Sequence, residues 1–206
     1  MAQAIDVGES GQVHGFVSQS YVYSPENAYA GTASKDGSFD FREMGMNGSW
    51  EANEKLRFAG QLLSRKKDES ADGSLRVDFL LADYLVYSND TTNFGMRAGR
   101  IKNPVGFYNS VRDIPASRPG IDVPNSVYFD SFRDVILAAD GISLYGSYTS
   151  DLGDLNWSVY AGNREVESTV MEHYLFGKNV QGKVKHAELQ GLNITYNLNT
   201  EQPLTF

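Results

Sequence analysis

Leu56-Arg57-Phe58-Ala59-Gly60-Gln61-Leu62-Leu63-Ser64-Arg65 reads as one β-strand with two unlike faces. Leu56, Phe58 and Leu62 fall on one phase of a period-two repeat, and Arg57, Gln61 and Arg65 on the other. The pattern continues on both sides. Upstream, beyond the polar turn Ala52-Asn53-Glu54, residues 38–51 put Phe39 and Phe41 in one phase and Met44, Met46 and Trp50 in the other. A change of phase needs an extra residue, which predicts a bulge near Arg42-Glu43. Downstream, a charged loop over 67–73 leads to a strand over 74–87, where Leu75, Val77, Phe79 and Leu81 alternate with Arg76, Asp78, Leu80 and Ala82. Asp83 then lands on the apolar phase, so either the strand is bulged there or Asp83 lies beyond the apolar band.

The same reading predicts strands over 12–23, 93–101, 141–150, 155–163 and 186–198, eight in all. Phe94, Met96 and Ala98 oppose Gly95, Arg97 and Gly99; Ile142, Leu144 and Tyr148 oppose Ser143, Tyr145 and Ser147; Leu192, Ile194 and Tyr196 oppose Asn193 and Thr195. A ninth strand would begin at Leu204-Thr205-Phe206, and residues 165–176 suit a short helix. The connections run long, short, medium, short, very long, short, long, short. That parity belongs to outer-membrane barrels, with short periplasmic turns and long outer loops; a soluble sandwich has no reason to keep it. The strands also exceed the roughly 5–6 residues usual in soluble sheets. Trp50, Trp157, Tyr148 and Tyr196 are candidates for interfacial aromatic girdles.

Composition narrows the function. Of 206 residues, 18 are Lys or Arg and 26 Asp or Glu, a net charge of −8 that argues against nucleic acid as the main partner. The absence of cysteine removes disulfides, thiolate metal sites and a cysteine nucleophile. No run approaches the ~18–20 apolar residues of a membrane helix, but a β-barrel stays polar on average and is left open. His14, His173 and His186 are widely spaced, and no phosphate-loop, dinucleotide or G-x-S-x-G pattern occurs. No metal, cofactor or enzymatic role is expected. Ala2-Gln3-Ala4 resembles the end of a bacterial signal peptide, so residues 1–4 are expected to be a leader remnant and 5–206 part of one barrel domain; an ordinary Ala-rich N-terminus is the plainer alternative.

The segment Gly99-Arg100-Ile101-Lys102-Asn103-Pro104-Val105-Gly106-Phe107-Tyr108-Asn109, continued by Arg112-Asp113, Arg118-Pro119, Val123-Pro124, Ser126-Val127-Tyr128, Phe132-Arg133-Asp134 and Ala139-Asp140-Gly141, resembles the signature run of porin-like outer-membrane proteins of Gram-negative gammaproteobacteria. Gly15-Phe16, Lys35-Asp36-Gly37-Ser38-Phe39 and Leu56-Arg57-Phe58 extend the likeness over most of 12–146. The resemblance implies an all-β, antiparallel up-and-down transmembrane β-barrel, with about eight strands present of a sixteen-stranded whole. It implies a water-filled channel in the outer membrane for small hydrophilic solutes and ions, a homotrimer, and contact with outer-membrane lipid and lipopolysaccharide. In such porins the loop between the fifth and sixth strands folds into the lumen, and residues 102–140 occupy that place in the strand count. Candidate constriction residues on this loop are Arg112, Asp113, Arg118, Asp122, Asp130, Arg133 and Asp134. Candidate wall residues are Arg57, Arg97, Arg76 and Asp78. Fixed charges on a folded loop facing charges on a wall would filter ions. The plainer account is that loop charges are solvated, and that neighbours such as Arg112-Asp113 pair structurally.

Two other functions compete: a barrel anchoring surface loops that bind phage or host, and a soluble periplasmic barrel that binds a ligand. An eight-stranded barrel is filled by its own side chains and has no room for an inserted loop as long as 102–140. The 206 residues are therefore expected to be the N-terminal part of a larger barrel.

Overall fold

In a computed structural model the chain is described for residues 5–26, 35–67, 71–106, 109–110, 112–118, 120–122, 137–165 and 186–199. Nine strands form one antiparallel sheet in sequence order: β1 (Ile5–Val7), β2 (Gly11–Gln19), β3 (Arg42–Glu51), β4 (Leu56–Lys66), β5 (Asp72–Ser88), β6 (Thr92–Lys102), β7 (Ala138–Ser150), β8 (Gly153–Glu165) and β9 (His186–Leu198). A 3-10 turn, Pro115–Ser117, lies in the connection between β6 and β7. β1 and β9 are the two edges, and the sheet is open between them. β1 escapes a period-two reading because three residues are too few to show alternation. The expected helix at 165–176 and the strand start at 204–206 lie outside the described residues, apart from Glu165 at the end of β8.

Short connections, 8–10, 52–55, 89–91 and 151–152, all lie at one end of the sheet, and the strand ends joined by the longer ones, β2 to β3, β4 to β5, β6 to β7 and β8 to β9, at the other. The short ones are built by side chains that imitate a turn. Asn53 Oδ1 accepts from the Lys55 and Leu56 amides at 2.9 and 3.0 Å, and Asn89 Oδ1 from the Thr91 and Thr92 amides at 3.0 and 2.7 Å.

The strands are staggered. Residues paired side by side run Trp50, Phe58, Ala82, Ala98, Ile142, Ala161. Trp50 is next to the turn end of β3, whereas Ala161 is well inside β8. Seven residues of extra height, about 23 Å, accumulate over five strand spacings, about 24 Å. The strands therefore tilt by about 45° to the line joining their turns.

Two details differ from the sequence reading. β3 begins at Arg42 and pairs on both sides without a register shift, so there is no bulge at Arg42-Glu43. Phe39 and Phe41 precede the strand, in a segment tied to β2 by Gln19 Nε2, which donates to both of their carbonyls. β5 is irregular, one of the two alternatives for Asp83: Gln61 pairs with Phe79 and Leu62 with Val77, leaving Asp78 extra. Further register shifts occur near the two ends of β5, at Ser64/Lys66 in its pairing with β4 and at Leu85/Tyr87 in its pairing with β6. After Asp78, Leu80, Ala82 and Tyr84 join the face of Leu75 and Val77. Phe79 and Leu81 turn to the other side, and Asp83 with them.

The result inverts the usual distribution of side chains. One face carries Met46, Trp50, Leu62, Leu80, Ile142, Ile194 and Leu192, the last three 52, 61 and 64% exposed. Its aromatic rings gather toward the turn end: Trp50 stacks on Phe58, Phe94 on Trp157, each at 5.9 Å, with Tyr84, Tyr148 and Tyr196 nearby. The largest fully buried side chains are Arg65, Arg112, Leu63, Asn103 and Asp113, all beneath or within the 103–137 loop on the opposite face.

Gly99 has a φ of +123°, and a Cβ there would overlap the Leu80 carbonyl of the adjacent strand. The Gly99→Ala variant is expected to lose about 1–3 kcal/mol, read as a lowered urea midpoint of unfolding. An unchanged midpoint would show that β5 and β6 can separate there freely.

Candidate functional site: a loop clamped on a charged wall

The loop is closed at its neck. The Asn103 amide donates to the Leu137 carbonyl at 3.0 Å. Asn109 Nδ2 donates to the Asn103 and Leu137 carbonyls at 2.6 and 2.7 Å, and the side chain is buried. One carboxamide thus holds both stems and turns the chain back over the sheet. Pro115 starts the 3-10 turn, where its missing donor costs nothing.

Beyond the neck the loop crosses the polar face from β6 to β3, three strand spacings or about 14 Å. Lys102 Nζ lies 2.6 Å from Asp78 Oδ2 on β5 and 2.9 Å from Asp113 Oδ2 on the loop. Further across, Arg118 grips Glu43 of β3 through both Nη atoms, the Nη1 contact at 3.1 Å. Arg65 of β4 bridges wall and loop, with Nε 2.9 Å from Glu43 Oε1 and Nη2 2.6 Å from Asp122 Oδ1. Lys67 completes the cluster by donating to Asp122 Oδ2. Burial alone would raise the Asp122 carboxyl, but the charge of Arg65 and the hydrogen bond from Lys67 outweigh it and hold it below its ordinary 3.8.

Nearer the turn end the polar face is open, as a cleft of about 370 Å³ lined by Asn47, Arg57, Asp83, Arg97 and Ser143 among others. Arg57, Asp83 and Arg97 are register neighbours on β4, β5 and β6. Asp83 Oδ2 receives Arg97 Nε at 3.0 Å and Arg57 Nη2 at 3.4 Å, and Oδ1 receives the Tyr145 hydroxyl at 2.6 Å. The Arg97 guanidinium lies over the Tyr145 ring, 4.1 Å from its centroid.

Of the loop residues expected at a constriction, Arg112, Asp113, Arg118 and Asp122 are buried in this clamp, facing the wall and one another. Asp130, Arg133 and Asp134 lie outside the described residues. Of the four wall candidates, Arg57, Arg97 and Arg76 share the loop-bearing face by register and Asp78 by its contacts with Gln61 and Lys102, but only Arg57 and Arg97 border the open cleft. Sequence reasoning missed Glu43, Arg65, Lys67, Lys102, Asp83 and Tyr145 as site residues. Glu43 and Arg65 share a phase across the β3–β4 turn, which was the one available signal. Among the described residues no cluster of His, Cys, Asp or Glu has metal-binding geometry, and no helix is long and apolar enough to cross a membrane. No family model, curated protein or solved structure matches the chain.

Arg65→Met removes a fully buried cation and strands two carboxylates. A loss of about 3–5 kcal/mol is expected, with amide exchange rising in 109–118; a variant as stable and protected as the parent would contradict the clamp. The pH dependence follows from the depressed Asp122 carboxyl. Its contribution is full above the ordinary value of 3.8 and is lost only as pH falls through the lower folded value. Corrected for intrinsic rates, amide protection of the loop should stay flat from pH 7 to about pH 5 and fail only below about pH 4. Loss of protection already at pH 5 would mean that another group controls the clamp.

Proposed function

We propose that the chain is the wall and constriction loop of an outer-membrane porin, a water-filled channel for passive diffusion of small hydrophilic solutes and ions. The observation that carries this reading is the inversion of the sheet. Apart from the Arg100–Asp140 pair toward the long-connection end, apolar side chains cover the face without the loop, while the loop-bearing face buries Arg65, Arg112 and Asp113. Exposed apolar patches beyond a few hundred Å² mark an interaction surface or a membrane. Covering each Leu or Ile is worth about 1.5–3 kcal/mol, so a whole sheet face of them calls for an apolar surrounding. The belt of Trp, Tyr and Phe at the turn end suits a headgroup interface.

Three further features support the channel form. The segregation of short and long connections matches the two sides of an outer membrane. A tilt near 45° is the stagger that closing a sheet into a barrel requires. In lipid both edges must be paired, and closure with further strands would leave the polar face and its loop inside. The loop then narrows the lumen at the β3–β6 wall, as in the general porins that the sequence resembles. A homotrimer in contact with lipid and lipopolysaccharide belongs to the same proposal.

The test is planar-bilayer recording of the full-length protein, folded in detergent and checked by heat-modifiable migration. Stepwise conductance is expected, larger in Arg118→Ala, where the loop loses its hold on Glu43. A folded protein that inserts without conductance steps would refute the channel, and would favour a barrel that only anchors surface loops. A chain that stays monodisperse without detergent would refute the membrane location.

A further inference from the structure

The overall charge of −8 would predict a preference for cations. The charges that border the open cleft give the opposite sign. A permeating ion responds to groups within about a Debye length, roughly 8 Å at physiological salt, so what counts is which charges face the water and which are withdrawn from it. Glu43, Asp78, Asp113 and Asp122 have side chains only 2, 2, 0 and 3% exposed, each against Lys or Arg. The Arg57 and Arg97 side chains are 48 and 39% exposed, and the carboxylate they share, Asp83, only 7%.

The hydrogen bonds in the Arg57–Asp83–Arg97 row point the same way. Asp83 is saturated by three donors: Tyr145 on Oδ1, and both arginines on Oδ2. Among the described residues Asp83 is the only protein acceptor for either guanidinium. Arg97 uses its Nε and Arg57 one Nη, so most of their N–H groups have no acceptor among the described residues, and both side chains line the cleft. Tyr145 fixes the Arg97 plane from one side. Ser143 and Asn47 add neutral donors to the same cleft. Glu51, the register neighbour of Arg57 on β3, makes no ion pair among the described residues and does not line the cleft. Two planar forks held by one shared, buried acid make an oxyanion-recognition pattern, because guanidinium geometry matches carboxylate and phosphate oxygens.

We infer that the Arg57–Asp83–Arg97 row is a binding point for small oxyanions, carboxylates or phosphates, and that it makes the pore anion-selective although the protein is acidic. This inference rests on the channel reading above and adds the sign and chemistry of its solute.

The experiment is the reversal potential of the full-length protein across a potassium chloride gradient, then the chloride current with inorganic phosphate or acetate added. Chloride should be favoured over potassium, and millimolar phosphate should reduce the chloride current. The Arg57→Gln/Arg97→Gln variant should shift the chloride-to-potassium ratio toward potassium by about threefold or more, the weight of unit charges a few ångströms from a hydrated ion. Because that variant strips Asp83 of two partners, Asp83→Asn serves beside it: Asn still accepts from Tyr145, both cations remain, and the chloride preference should rise. Arg97→Lys should keep the chloride preference and lose much of the phosphate block, since it keeps the charge and discards the fork. Potassium preference in the parent, or a ratio unmoved by either neutralising variant, would overturn the inference while leaving the channel intact. Phosphate block equal in the parent and in Arg97→Lys would refute oxyanion recognition by the fork. No conductance steps at all would overturn the channel reading and this inference with it.

Discussion

Glu43 and Asp122 hold the 103–137 loop against the sheet, and Arg65 stands between them. Arg65 reaches Glu43 beside it on the wall and Asp122 on the loop, while Arg118 and Lys67 close the outer sides. Buried ion pairs are poor evidence of stability, since desolvation offsets most of the Coulomb attraction. Their consequence here is placement. An apolar seam between loop and wall would add burial, but it would let the loop slide along a featureless surface. A bidentate guanidinium accepts one geometry and fixes the loop on β3 and β4.

The alternation at 56–65 identifies a two-faced strand, and the connection lengths identify which ends carry long loops. Both are read correctly because period and spacing are local quantities. The failures are also local, and each has a mechanical cause. β1 is too short to display a period. Phe39 and Phe41 look like strand residues because they alternate, yet Gln19 holds them in a non-strand segment. In β5 the expected apolar run Leu75, Val77, Phe79, Leu81 breaks because pairing to β4 skips Asp78. The misplaced charge at Asp83 was the visible trace of that bulge, five residues from its cause.

The candidate site was less readable. The loop's position in the strand count and the phase of Arg57 and Arg97 led to the right face of the right strands. What those side chains touch did not follow. Arg118 meets Glu43 across 75 residues, and Arg65 meets Asp122 across 57. A period of two assigns a residue to a face and contains nothing about its partner there. Arg112, Asp113, Arg118 and Asp122 therefore drew attention as lumen charges, when their burial makes them fasteners of the loop.

The extra residue in β5 links these two levels. Without it, Asp83 would stand on the apolar face beside Leu56 and Phe58, an unpaired carboxylate among exposed hydrocarbon, and Phe79 and Leu81 would follow it out of register. With it, Asp78 reaches Lys102 and Gln61 on the loop side, and Asp83 arrives between Arg57 and Arg97. One inserted residue thus leaves Asp78 with the clamp and brings Asp83 to the arginine row. It also restores an uncharged stretch, Leu80, Ala82 and Tyr84, to the opposite face. A strand that must satisfy two unlike surroundings at once has few ways to host two acids five positions apart, because an odd spacing sends them to opposite faces. A bulge between them is the local change that brings both to the same side.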